Sequence, residues 1–221
     1  EGVTSLKSYA FSQTPDLKSV ILPCTIHNIE KYAFDESAIR TIDIPEGTKE
    51  IQTNAFKSCY DLKTVSLPKS LLKIDLGAFN NCKMLQDVYL YGVPRIVGTH
   101  PFALCSKFAL HIVDIEPDEG LYSFLENIRT SLKLIYVRKD LVDKFKRAFP
   151  KYSSLIFEDP GKPETEEEIK IEESRETAQK DTRIKYNANC SELITVTEQF
   201  KECSFELPLC VKQISTFEEN R

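Results

Sequence analysis

Apolar residues recur along the first half of the chain with a period far longer than that of a single strand or helix. Phe11, Phe34, Phe56, Phe79 and Phe102 follow one another at steps of 23, 22, 23 and 23 residues. Three residues after each stands a small one, Thr14, Ser37, Cys59, Cys82 or Cys105. Then comes Leu/Ile-x-x-Val/Ile-x-Leu/Ile: Leu17, Val20 and Leu22; Ile39, Ile42 and Ile44; Leu62, Val65 and Leu67; Leu85, Val88 and Leu90. Pro23, Pro45 and Pro68 end the first three of these runs, and a second apolar pair follows, Ile26 and Ile29, Thr48 and Ile51, Leu71 and Ile74, Pro94 and Val97.

A fixed period in the twenties is the signature of a leucine-rich solenoid. One such repeat cannot bury its apolar side alone. Stacked at about 4.8 Å per rung, parallel strands hydrogen-bond to one another and the Phe, Leu and Ile ladders fill the interior. Side chains alternate along a strand, so the middle residue of each Val-x-Leu points away from the core. Those outward positions are Ile21, Asp43, Ser66 and Tyr89.

The frame resembles that of the BspA-like leucine-rich repeat proteins, large surface-protein families of host-associated bacteria and parasitic protists. The motif is carried by Tyr32-Ala33-Phe34, by Asn54-Ala55-Phe56 with Cys59, and by Gly77-Ala78-Phe79 with Cys82. The resemblance covers about residues 1–160. It implies a β-rich solenoid of short parallel strands with short helical and irregular segments, a curved single array followed by a C-terminal insert. Leu134-Ile135-Tyr136-Val137, followed by Asp140 to Phe149, looks like the strand plus short helix with which such arrays often close. Pro101-Phe102-Ala103 and Tyr91, which stands where Pro is usual, set the fourth and fifth repeats apart.

Val3 and Leu6 precede Phe11 as Ile26 and Ile29 precede Phe34, so the expectation is an array that starts within a repeat and is part of a longer one. Asp159-Pro160-Gly161-Lys162-Pro163 reads as a linker into a charged insert over 161–204, beginning with Glu164, Glu166, Glu167 and Glu168. Ile169-Lys170-Ile171 and Ile184-Lys185-Tyr186 permit a β-hairpin, and the Glu- and Lys-rich run over 164–181 equally tolerates a helix; periodicity leaves both open. Leu193, Ile194, Val196 and Phe200 need a surface to cover. Leu207-Pro208, Val211 and Ile214 repeat the spacing of Leu22-Pro23, Ile26 and Ile29, the expected start of a further repeat block over 205–221.

Composition narrows the function. With 221 residues, 41% of them hydrophobic, the chain can build a continuous core, yet no 18-residue apolar run crosses a membrane. The net charge is −5, and without a basic stripe, RNA-binding aromatic motif or zinc-finger spacing along the sequence, nucleic-acid binding is disfavoured. Cys59, Cys82 and Cys105 read as a ladder of small buried groups rather than metal ligands, which would converge as Cys-x-x-Cys or Cys/His clusters. Cys190, Cys203 and Cys210 admit one disulfide in an oxidising compartment. Asn189-Cys190-Ser191 matches the N-glycosylation pattern at Asn189. His27, His100 and His111 stand at no fixed distance from a nucleophile and read as solvated or hydrogen-bonded structural residues. No catalytic constellation, Gly-rich phosphate loop or cofactor motif stands out, and the chain is read as non-enzymatic.

What remains is a broad face of parallel strands that a partner can read across many rungs. The candidate positions are Lys18, Ser19 and Ile21; Arg40, Thr41 and Asp43; Lys63, Thr64 and Ser66; Gln86, Asp87 and Tyr89, with Tyr89 and Tyr91 as the expected energetic anchors. By resemblance, the parent is a cell-surface or secreted protein that binds host or matrix proteins or mediates adhesion. The alternative is an intracellular scaffold that organises endogenous partners.

Overall fold

The computed structural model describes residues 2–98 and 100–161. The insert beyond Gly161, the further repeat block, Asn189 and the three C-terminal cysteines lie outside the described residues. Val3–Pro160 form a compact unit.

The repeats contribute short strands to two parallel sheets. In chain order the strands of the array are β1 (Ser5–Leu6), β2 (Asn28–Ile29), β3 (Thr41–Asp43), β4 (Glu50–Ile51), β5 (Thr64–Leu67), β6 (Lys73–Ile74), β7 (Asp87–Leu90), β8 (Arg95–Ile96) and β9 (Phe108–Ile112). A narrow sheet runs β1-β2-β4-β6-β8, and β3, β5, β7 and β9 lie side by side in the other. The register follows the sequence period: Ile42 pairs with Val65, Val65 with Val88, and Val88 with Leu110.

The chain turns around each Phe in a way that repeats. Two positions, two residues before and two after the Phe, take the left-handed conformation: Tyr9 and Gln13, Tyr32 and Glu36, Asn54 and Ser58, Gly77 and Asn81, His100 and Leu104. Such a conformation costs a side-chain-bearing residue energy, which the packing of the turn offsets. The reversal points each ring inward, and the Phe amide bonds the next rung, Phe34 N to Ala55 O at 2.7 Å and Phe56 N to Ala78 O at 2.7 Å. At Gly77 there is a second constraint, because a Cβ there would stand 2.6 Å from Asn54 Oδ1. The five rings form one column, 4.9–5.2 Å between neighbours and within 14° of parallel.

One expectation is corrected in the fourth repeat. Ile96, not Val97, pairs with Ile74, while Val97 faces outward and is 36% exposed. The repeat reaches β8 one residue early and recovers it in the six-residue step from Ile96 to Phe102, where Leu6, Ile29, Ile51 and Ile74 each precede their Phe by five.

Beyond β9 the architecture changes. Helix α1 (Glu119–Ile128) is capped by Asp118, whose side chain accepts from Leu121 N at 2.7 Å. Its buried residues Leu121, Phe124, Leu125 and Ile128 have the i, i+3, i+4, i+7 spacing of an amphipathic helix, a signal the long repeat period obscured. Strand β10 (Leu132–Val137) and helix α2 (Val142–Ala148) stand where a strand and short helix are expected. The sheet does not end there: β11 (Ile156–Glu158) pairs parallel to β10, giving a six-stranded sheet in the order β11-β10-β9-β7-β5-β3.

Candidate interaction face

The outward side of the six-stranded sheet is built by alternation. Residues that point inward, Ile42, Val65, Val88, Leu110, Ile135 and Ile156, are all 1% exposed or less and belong to the core. Their neighbours form the outward ladder Asp43, Ser66, Tyr89, His111, Tyr136 and Phe157, in register from strand to strand.

This ladder divides into a polar half and an aromatic half. At the polar end, Lys18, Arg40, Asp43, Lys63 and Gln86 are exposed and Ile21 is 94% exposed. Ser66 is nearly buried, and its hydroxyl donates to Asp43 Oδ1 in a short hydrogen bond. Asp87 is half-buried and Tyr91 is 40% exposed.

Tyr89 departs from its expected role. It points to the outward side but is only 5% exposed, its ring stacked on His111 at 4.3 Å. His111 in turn lies against Tyr136 at 4.9 Å. A buried ring stacked on another contributes to the fold rather than offering itself to a partner, so Tyr91 alone of the two expected anchors is accessible.

His111 is the residue the sequence reasoning undervalued on this face. Its Nδ1 lies 3.1 Å from Asp159 Oδ2 and its Nε2 3.2 Å from Asp87 Oδ1, so it joins β7 to the end of β11. The signal was present: Leu110-His111-Ile112 continues the Val-x-Leu frame 22 residues after Val88-Tyr89-Leu90.

Of the ladder cysteines, Cys59 and Cys82 are fully buried in the core and Cys105 packs against it half-buried. Each donates to the Phe carbonyl of the preceding repeat: Cys59 to Phe34 O at 3.0 Å, Cys82 to Phe56 O at 3.2 Å, Cys105 to Phe79 O at 2.9 Å. They are therefore donors as well as small packing groups. All three are free thiols. Burial pushes the Cys59 thiol up to about 12, and contact with Cys105 together with burial raises Cys82 well above the usual thiol range. A thiol held protonated is a poor nucleophile and a poor metal ligand.

Among the described residues, no group of three or more His, Cys, Asp or Glu side chains converges on a metal position. No described helix is long and apolar enough to cross a membrane.

Residues 1–109 match the BspA type Leucine rich repeat region family, in six copies. The chain is similar to a leucine-rich repeat protein from Bacteroides ovatus, with 22% identity and a TM-score of 0.44 over 61% of this chain and 47% of that one. It is also similar to a leucine rich cell surface protein from Faecalibacterium prausnitzii, with 20% identity and a TM-score of 0.34 over 74% of this chain and 59% of that one. The chain thus spans less than two thirds of the length of either protein. No curated protein matches it.

Proposed function

We propose that this chain, whose residues 1–109 are a BspA type leucine-rich repeat region, is a non-enzymatic protein-binding module of a cell-surface or secreted protein, one that binds host or matrix proteins. The observation that carries the reading is the outward ladder of the six-stranded sheet. It holds one side chain per rung in a fixed register, and two large apolar residues of the same repeats, Ile21 and Tyr91 just after β7, are exposed. Rigid backbone under the contact residues means that little conformational freedom is lost on binding. An aliphatic and an aromatic anchor set among Arg40, Asp43, Lys63 and Gln86 suit a polar protein surface.

The alternative is an intracellular scaffold. Cys59 and Cys82 are free thiols, and burial in the solenoid core shields them from oxidants as well as reductants, so these two favour neither compartment.

The test is capture with the purified chain as bait, run in parallel against extracellular-matrix and host-surface proteins and against cytosolic extract. The variant Ile21→Glu with Tyr91→Ala removes both anchors from exposed positions. Saturable capture of a matrix or host protein that the variant loses supports the proposal. Capture of cytosolic proteins alone moves the reading to an intracellular scaffold, and unchanged affinity in the variant removes this face as the site.

A further inference from the structure

The coil brings together three cations that the sequence holds 22 and 23 residues apart, Lys18, Arg40 and Lys63. Arg40 N donates to Lys18 O at 2.9 Å and Lys63 N to Arg40 O at 2.7 Å, so the three side chains leave adjacent rungs at one rim of the strand face. All three are exposed.

Three other cations of the array meet carboxylates across the rungs. Lys7 pairs with Glu30 at 2.8 Å, Lys73 with Glu50 at 2.6 Å and Lys57 with Asp35 at 4.0 Å. Among the described residues, no carboxylate lies within ion-pair distance of Lys18, Arg40 or Lys63, and the nearby Asp43 is engaged by the Ser66 hydroxyl. Like charges one rung apart repel one another, so the ladder favours an external anion.

Each cation is followed by a hydroxyl residue, Ser19, Thr41 or Thr64, and Thr41 and Thr64 are paired in register. The rim therefore repeats one donor set, a cation and a hydroxyl, on three successive rungs.

We propose that this rim binds a linear sulfated polysaccharide. A repeating donor set fits a polymer with a repeating charge, and sulfate keeps its charge across the physiological pH range and presents several acceptor oxygens that a cation and its neighbouring hydroxyl can engage together. A single-stranded nucleic acid needs aromatic platforms for its bases, and the positions beside these cations carry hydroxyls instead. Guanidinium and ammonium groups give sulfate short charge-assisted hydrogen bonds, to which the hydroxyls add. This ligand is of a different class from the protein partner, and the inference stands or falls without that partner.

The experiment measures affinity for a size-defined heparin oligosaccharide by titration at several salt concentrations. The expected result is saturable, salt-sensitive binding that falls roughly tenfold or more in Lys18→Ala/Arg40→Ala/Lys63→Ala, since ion contacts to a polyanion dominate its affinity. A control of equal net charge, Lys31→Ala/Lys83→Ala/Lys133→Ala, should stay within about twofold on the same grounds. The single change Arg40→Glu serves as the second variant, and unchanged circular dichroism verifies folding. Absence of binding by the wild-type chain, equal loss in the control, or equal affinity for polyglutamate or oligo-dT would each overturn the proposal.

Discussion

The repeat array and the segment that follows it extend the same parallel sheet by different means. From β1 to β8 the polypeptide is strand and turn, strands are two to four residues long, and the Phe rings stack nearly flat. From β9 to β11 helices connect the strands and the rings tilt: Phe108 meets Phe102 at 54°, and Phe145 meets Phe149 at 83°. A ring column is self-consistent only while each repeat presents the next with the same shape. At its last member the exposed ring must be covered by something of another shape, and Phe108 lies across it.

Backbone chemistry shows the same division. Within the array, the carbonyls of Phe34, Phe56 and Phe79 each accept a cysteine thiol from the following repeat. The carbonyl of Phe102 has no following repeat and accepts the Ser131 hydroxyl at 3.0 Å instead. The need for a donor is periodic because a buried carbonyl must be paired, but its supply need not be.

The contrast can be broken at several points. Phe79→Ala removes a fully buried ring from the middle of the column and should destabilise the protein by about 3–5 kcal/mol in denaturant unfolding. Amide exchange should accelerate most in the neighbouring rungs, and an unchanged unfolding midpoint would contradict the column as a source of stability. Tyr89→Ala, at the junction of array and closing segment, should cost about 2–3 kcal/mol because it uncovers His111. A loss below half a kcal/mol, with binding impaired, would restore Tyr89 to the role of an exposed anchor.

Asp118→Ala tests the closing segment alone. Loss of its cap to Leu121 N should cost about 1 kcal/mol, read as faster exchange in the first turn of α1 while β4 and β6 stay protected. Equal acceleration in β4 and β6 would mean that the two regions open together. The smallest effect concerns Glu30, which hydrogen bonds from Lys7, Ser5 and Ser8 hold at about 2 instead of the ordinary 4.5. A depressed folded-state value makes its contribution fully present above about pH 4.5 and lost as pH falls through about 2. Carboxyl-resolved NMR titration should place its midpoint near the lower figure, and a midpoint near 4.5 would mean that the cross-rung contacts do not persist in solution.

Most of the array was legible because its core is a one-dimensional lattice. Phe34, Phe56, Phe79 and the Val-x-Leu runs occupy equivalent places in every turn, so period alone gives register and burial. Tyr89 shows where the rule ends. Alternation correctly pointed it outward, but outward is not exposed, since its ring is stacked on His111 of the next strand. Helix α1 was missed although Leu121, Phe124, Leu125 and Ile128 carry its local pattern. Strand β11, of only three residues, has too little pattern to be recognised by itself.

The sequence by itself determined the solenoid, its rung spacing and its inward ladders, because repeated local shape and repeated apolar positions demand one another. Only the tertiary structure decided which outward residues meet solvent and which donor completes the last Phe carbonyl. Those outcomes depend on side chains far apart in sequence meeting across rungs, and pairwise contact of that kind leaves no periodic trace along the chain.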